Sequence, residues 1–159
     1  RGSKRGARAR LGIDPRRPES AGLSISDLLL LKDGEAKPAT LDEAIAHARG
    51  DVRVRPEERL GLFWEVYGLG NDSDTLTFAV SLTRTGVGAL RRAAERLGVS
   101  AGMTPVRVRW REQPGAAAIL PRATVVALPN VPPGEYLLEV TARTSAGEVT
   151  ATRRIRVER

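Results

Sequence analysis

The stretch Gly134-Glu135-Tyr136-Leu137-Leu138-Glu139-Val140-Thr141-Ala142-Arg143-Thr144-Ser145-Ala146-Gly147-Glu148-Val149-Thr150-Ala151-Thr152-Arg153-Arg154-Ile155-Arg156-Val157 decides the fold class. Tyr136, Leu138 and Val140 fall on alternate residues, so along an extended chain they share one face. Val149, Ala151, Ile155 and Val157 share a parity in the second half, and Ser145-Ala146-Gly147 supplies turn residues between the halves. The spacing predicts two paired strands, Glu135 to Thr144 and Glu148 to Val157, with Tyr136, Leu138 and Val140 inward.

The same alternation recurs upstream. Val106, Val108 and Trp110 alternate with Arg107, Arg109 and Arg111, and Ala123, Val125 and Ala127 alternate with Thr124, Val126 and Leu128. Leu62, Trp64 and Val66 oppose Phe63, Glu65 and Tyr67 in a strand from Leu60 to Leu69, with large side chains on both faces, as in a central strand. Leu76, Phe78, Val80 and Leu82 alternate with small polar residues from Thr75 to Thr83, and Asn71-Asp72-Ser73-Asp74 reads as a turn that makes these two strands a hairpin. Val52 and Val54 before Pro56 read as an edge strand. Leu28-Leu29-Leu30-Leu31 fits a strand covered on both faces or a buried half-helix, and Lys32-Asp33-Gly34 after it favours the strand. Two helices are expected. One runs from about Leu41 to Ala48 behind the capping box Thr40-Leu41-Asp42-Glu43, and one from Gly88 to Leu97 with Leu90, Ala94 and Leu97 on one face. Short strands separated by turn residues indicate a sandwich or barrel.

Composition sets the limits. Of 159 residues, 41% are hydrophobic and 28% charged, values of a globular chain, and no run reaches the roughly 20 apolar residues of a membrane helix. There is no cysteine and one histidine, His47, which excludes disulfides, thiolate metal sites, a cysteine nucleophile and a histidine-rich metal cluster. The chain begins at Arg1 without a signal-peptide pattern and is expected to be a piece of a longer protein. The formal net charge is +7, of which residues 1–20 carry +5, so those residues read as a basic arm or linker, with Ala7, Ala9 and Leu11 alternating as in a short strand. Residues 21–159 read as one domain.

The run Leu128-Pro129-Asn130-Val131-Pro132-Pro133-Gly134-Glu135-Tyr136, followed by the paired strands, resembles the last hairpin of bacterial immunoglobulin-like or fibronectin-like sandwich domains. Leu23-Ser24-Ile25-Ser26-Asp27-Leu28-Leu29-Leu30 and Phe63-Trp64-Glu65-Val66-Tyr67-Gly68-Leu69 are together similar to the C-terminal sandwich region of bacterial GWxTD-domain proteins, although the GWxTD motif itself is absent. The resemblance implies an immunoglobulin-like antiparallel β-sandwich, mostly β with the two helices inserted, and an envelope-associated or secreted, hence periplasmic or extracytoplasmic, setting. It carries no ligand residues.

Chemistry is sparse. Asn71, Asp72 and Asp74 lack the glycine and terminal glutamate of a calcium loop. Gly86-Val87-Gly88 lacks the third glycine of a dinucleotide fingerprint, no nucleophile elbow surrounds a serine, and Glu65 is the acid whose surroundings most invite a perturbed carboxylate. No catalytic residue, metal or cofactor is assigned. The interaction candidates are the arginine stripe Arg107, Arg109 and Arg111, and the aromatics Trp64, Tyr67 and Trp110, which together would give a cationic and stacking surface, although core packing is the default for aromatics on alternating strands. These favour a non-enzymatic interaction or structural module that contacts a protein partner or other domains of its parent chain. Nucleic-acid or polyanion binding through the arm and the stripe is the other reading.

Overall fold

The computed structural model describes residues 22–32, 34, 36–69, 75–85, 106–115, 117–128 and 131–158. The basic arm, the turn at 71–74, the Gly86-Val87-Gly88 segment and the helix expected over 88–97 lie outside the described residues. The elements in chain order are β1 Ser24–Ile25, β2 Leu29–Leu31, α1 Leu41–Ala46, β3 Arg53–Val54, β4 Arg59–Tyr67, β5 Leu76–Arg84, β6 Val106–Glu112, β7 Ile119–Ala127, β8 Gly134–Thr144 and β9 Gly147–Val157.

The strands form a two-sheet β-sandwich. In the first sheet β4 pairs along its whole length with β7, and β1 and β2 pair with the two ends of β4. A strand has two edges, so β1 and β2 together make one interrupted strand on the edge that β7 leaves free. The second sheet has the order β3-β9-β8-β5-β6, all antiparallel except β3 with β9.

The interruption explains the four leucines. Ile25 lies opposite Val66 but Leu29 lies opposite Phe63, so residues 26–28 hold one residue more than the partner strand. A one-residue insertion of this kind reverses side-chain parity. Leu23 and Ile25 before it, and Leu28 and Leu30 after it, therefore all meet the same core. Leu31 is turned to the outer side, where it packs with Phe63 and Ala44 of α1. Ser26 fills the insertion: its N–H donates to the Glu65 carbonyl and its Oγ accepts from the Glu65 N–H, both at 2.9 Å.

The main core joins the even-numbered residues of β4 to those of β5 and β8, with Leu62, Trp64, Phe78 and Leu138 all buried. Trp64 of the first sheet meets Phe78 edge-on at a centroid distance of 5.5 Å and Trp110 at 6.2 Å, so three rings close the gap between the sheets. The expected hairpin of β4 with β5 does not form. Both edges of β4 are taken within the first sheet, so the apolar rows of β4 and β5 face each other across the core rather than lying side by side.

α1 is shorter than expected. Thr40 Oγ1 accepts from the Glu43 N–H at 3.3 Å, as the capping box requires, while Glu43 Oε2 reaches the Ala39 N–H at 2.8 Å. The helix ends at Ala46 because β2 claims the next residues: the Lys32 N–H donates to the His47 carbonyl and the Arg49 N–H to the Leu30 carbonyl. Gly68 closes β4 with φ 68°, and a Cβ there would lie 2.2 Å from the Gly22 carbonyl oxygen, so glycine is required. At the start of β8 the buried Tyr136 hydroxyl donates back to the Pro132 carbonyl at 2.7 Å, fixing the corner by which the chain enters the second sheet.

Candidate interaction surface

The aromatic candidates do not form a surface platform. Trp64 is fully buried and Trp110 half-buried, both in the inter-sheet core, because their parity on β4 and β6 points inward. Tyr67 has the opposite parity on β4 and lies on the outer side of the first sheet, where its hydroxyl donates to Glu65 Oε2 at 2.5 Å. Burial and then the Glu65 carboxylate push the Tyr67 phenol up to about 12. Glu65 is thus engaged through its carboxylate by a phenol and through its backbone by the Ser26 insertion.

The arginine stripe is at the surface. Arg107, Arg109 and Arg111 are exposed on β6, an edge strand, and their directly opposed partners on β5 are Ser81, Ala79 and Thr77. Successive arginines on one face of a strand are about 6.6–6.8 Å apart. None of the three has a side-chain hydrogen bond or ion pair among the described residues. Elsewhere on the same outer face Arg143 pairs with Glu148 at 2.7 Å, Arg156 pairs with Glu135, and Thr141 and Thr150 share a hydroxyl contact at 3.2 Å, while among the described residues Arg154 of β9 stands exposed by itself. The β6 row is thus the one place among the described strands of this sheet where three exposed arginines share one face at successive positions; on β9, Arg153 and Arg154 point to opposite faces.

The inner side of that edge is open as well. Val108 shares the core-facing parity with Trp110 yet is 46% exposed. At the other end of β6 the gap between the sheets is closed by Arg122 of β7, whose Nε donates to Glu112 Oε1. The alternation of Val106, Val108 and Trp110 marked the apolar face, but only the strand order shows that part of it lacks a cover.

A cleft of about 460 Å³ lies on another part of the surface, lined by Arg49, Arg55, Glu57 and Glu58. Of its two carboxylates, Glu58 pairs with the Arg49 guanidinium and accepts from the Arg55 N–H at 3.0 Å. Burial alone would raise the Glu58 carboxyl, but Arg49 and the Arg55 amide outweigh it and hold it below its ordinary range. His47 is exposed at the C-terminal end of α1. Among the described residues no cluster of three or more metal-ligating side chains occurs, and no helix is long and apolar enough to cross a membrane.

No protein-family model matches the chain, and no curated protein matches it.

Proposed function

We propose that the chain is an immunoglobulin-like interaction module that meets an acidic protein partner, or an acidic domain of its own parent chain, through the arginine row of β6. The observation that carries this reading is the row itself: Arg107, Arg109 and Arg111 exposed side by side on one face without partners among the described residues. A solvated row of three like charges repels itself, and an acidic surface relieves that repulsion.

Two features support the immunoglobulin-like assignment. The order β1/β2-β4-β7 against β9-β8-β5-β6 is the order A-B-E against G-F-C-C′ of such sandwiches, with β3 as an added edge. Tyr136 also stands where those domains place a tyrosine corner, at the start of the F strand with its hydroxyl on upstream backbone. An aromatic trio takes the place of the inter-sheet disulfide that a chain without cysteine lacks. By resemblance the parent is a bacterial envelope or secreted protein.

Poly-L-glutamate and a single-stranded oligonucleotide, each titrated against the chain at low and high salt, test the reading. Glutamate binding should disappear in the triple variant Arg107→Glu, Arg109→Glu, Arg111→Glu and survive deletion of residues 1–20. Oligonucleotide binding that falls steeply with salt and vanishes with residues 1–20 would instead establish polyanion binding by the arm. The burial of Trp64 and the inward parity of Trp110 weigh against that alternative, since they remove the stacking platform a single strand needs.

A further inference from the structure

We propose that the outer edge of β6 accepts an extended partner strand in which acidic and apolar residues alternate, a mode of contact that rests on the reading of the arginine row as the interaction surface. Among the described strands β6 closes the order of its sheet and pairs only with β5. Every second backbone N–H and C=O of β6 therefore points away from the sheet, ready to pair with a further strand.

The side chains define what that strand carries. On the outer face, Arg107, Arg109 and Arg111 repeat at every second residue, and carboxylates on alternate residues of an added strand match that repeat one for one. On the inner face, Val108 is half exposed beside the half-buried Trp110, so the intervening residues of the added strand are apolar and extend the core over Val108. A second copy of β6 does not meet this requirement, because it would set arginine opposite arginine. The same charges that keep the edge from pairing with itself thus select a strand of opposite sign.

The other edges are less suited. Beside β9, β3 already pairs at Arg156 and Val157, the core-side parity carries the exposed Arg153, and the outer parity alternates Arg154 with Thr152, Thr150 and Glu148, so no row of like charge repeats there. The β7 edge is tied across the sandwich by Arg122 and Glu112.

The test uses seven-residue peptides, the length of β6: one alternating Glu and Val, one of the same composition with the Glu and Val in separate blocks, and one alternating Lys and Val, with poly-L-glutamate as a fourth probe. Amide hydrogen exchange followed by NMR is the readout. The alternating acidic peptide is expected to slow exchange at alternate amides of β6. The triple arginine-to-glutamate variant is expected to bind it at least about tenfold more weakly and to prefer the Lys and Val peptide instead. An unchanged thermal midpoint shows that this variant is folded. If the block peptide and poly-L-glutamate bind as well as the alternating one and leave β6 amides unprotected, strand addition is overturned while the arginine row stands as a contact surface. If no acidic probe binds, both readings are overturned.

Discussion

Arg122 of β7 donates through Nε to Glu112 Oε1 of β6 at 2.5 Å, and this half-buried ion pair joins the edge strands of the two sheets beside the ring cluster of Trp64 and Trp110. Arg122 also donates through Nη1 to its neighbour's carbonyl at Pro121, at 2.7 Å, which fixes the guanidinium in place. About a quarter of each side chain is exposed, so solvent screens part of the attraction. Arg122→Met is expected to cost about 1–2 kcal/mol, and a double-mutant cycle with Glu112→Gln to return a coupling of about 1 kcal/mol in urea unfolding. A coupling near zero would show that the pair does not hold the sheets together.

The chain has two tyrosines, and the fold raises both phenols above 10. For Tyr136 burial is the cause, opposed in part by the Arg84 guanidinium; for Tyr67 burial is joined by the Glu65 carboxylate and carries it to about 12. A folded-state pKa above the unfolded value favours the folded chain only while the phenol is protonated. That contribution is complete below pH 10 and is lost as pH rises from about 10 through about 12. A phenolate absorbance titration of the native chain should show no tyrosine ionising at its ordinary pH, and Tyr67→Phe should remove the step at about 12. Tyr136→Phe should in addition cost about 1–2 kcal/mol at neutral pH through loss of the corner hydrogen bond to Pro132.

Glu58 ties the 46–50 turn to the 55–58 turn by pairing with Arg49 and capping the Arg55 amide. Its folded pKa is depressed from 4.5, so its contribution is complete above that value and is lost as pH falls through the lower folded one. Glu58→Gln is expected to be less stable than the parent chain at neutral pH and to converge with it in acid. Stability curves that stay parallel from neutral pH into acid would contradict the assignment.

Strand identity was legible where alternation was clean. β5, β8 and β9 follow the parity of Phe78, Leu138 and Ile155, and three of the four leucines, Leu29–Leu31, form the favoured strand with apolar contacts on both faces. Pairing was legible where a tight turn joins neighbours, as Ser145-Ala146-Gly147 joins β8 to β9, but not elsewhere, because alternation reports which face is buried and not which strand lies alongside. Hence Asn71 to Asp74 suggested a hairpin where the chain instead changes sheets between β4 and β5. The one-residue insertion at Ser26 left no compositional mark, since Ile25 and Leu28 look like a simple break in phase. In the candidate surface the arginine row was visible from spacing alone. Trp64 and Trp110 could be read either as core or as a platform, because an aromatic on an alternating strand has the same pattern whether its face meets a core or a ligand; the structure places both in the inter-sheet core.

The most direct measurement of the central claim is NMR mapping of poly-L-glutamate on the isotopically labelled chain. The account predicts shifts confined to the β6 amides around Arg107, Arg109 and Arg111 and to their β5 partners Ser81, Ala79 and Thr77, with no response in the triple charge-reversal variant. Shifts centred instead on the cleft of Arg49 and Arg55, or equal shifts in the triple variant, would contradict it.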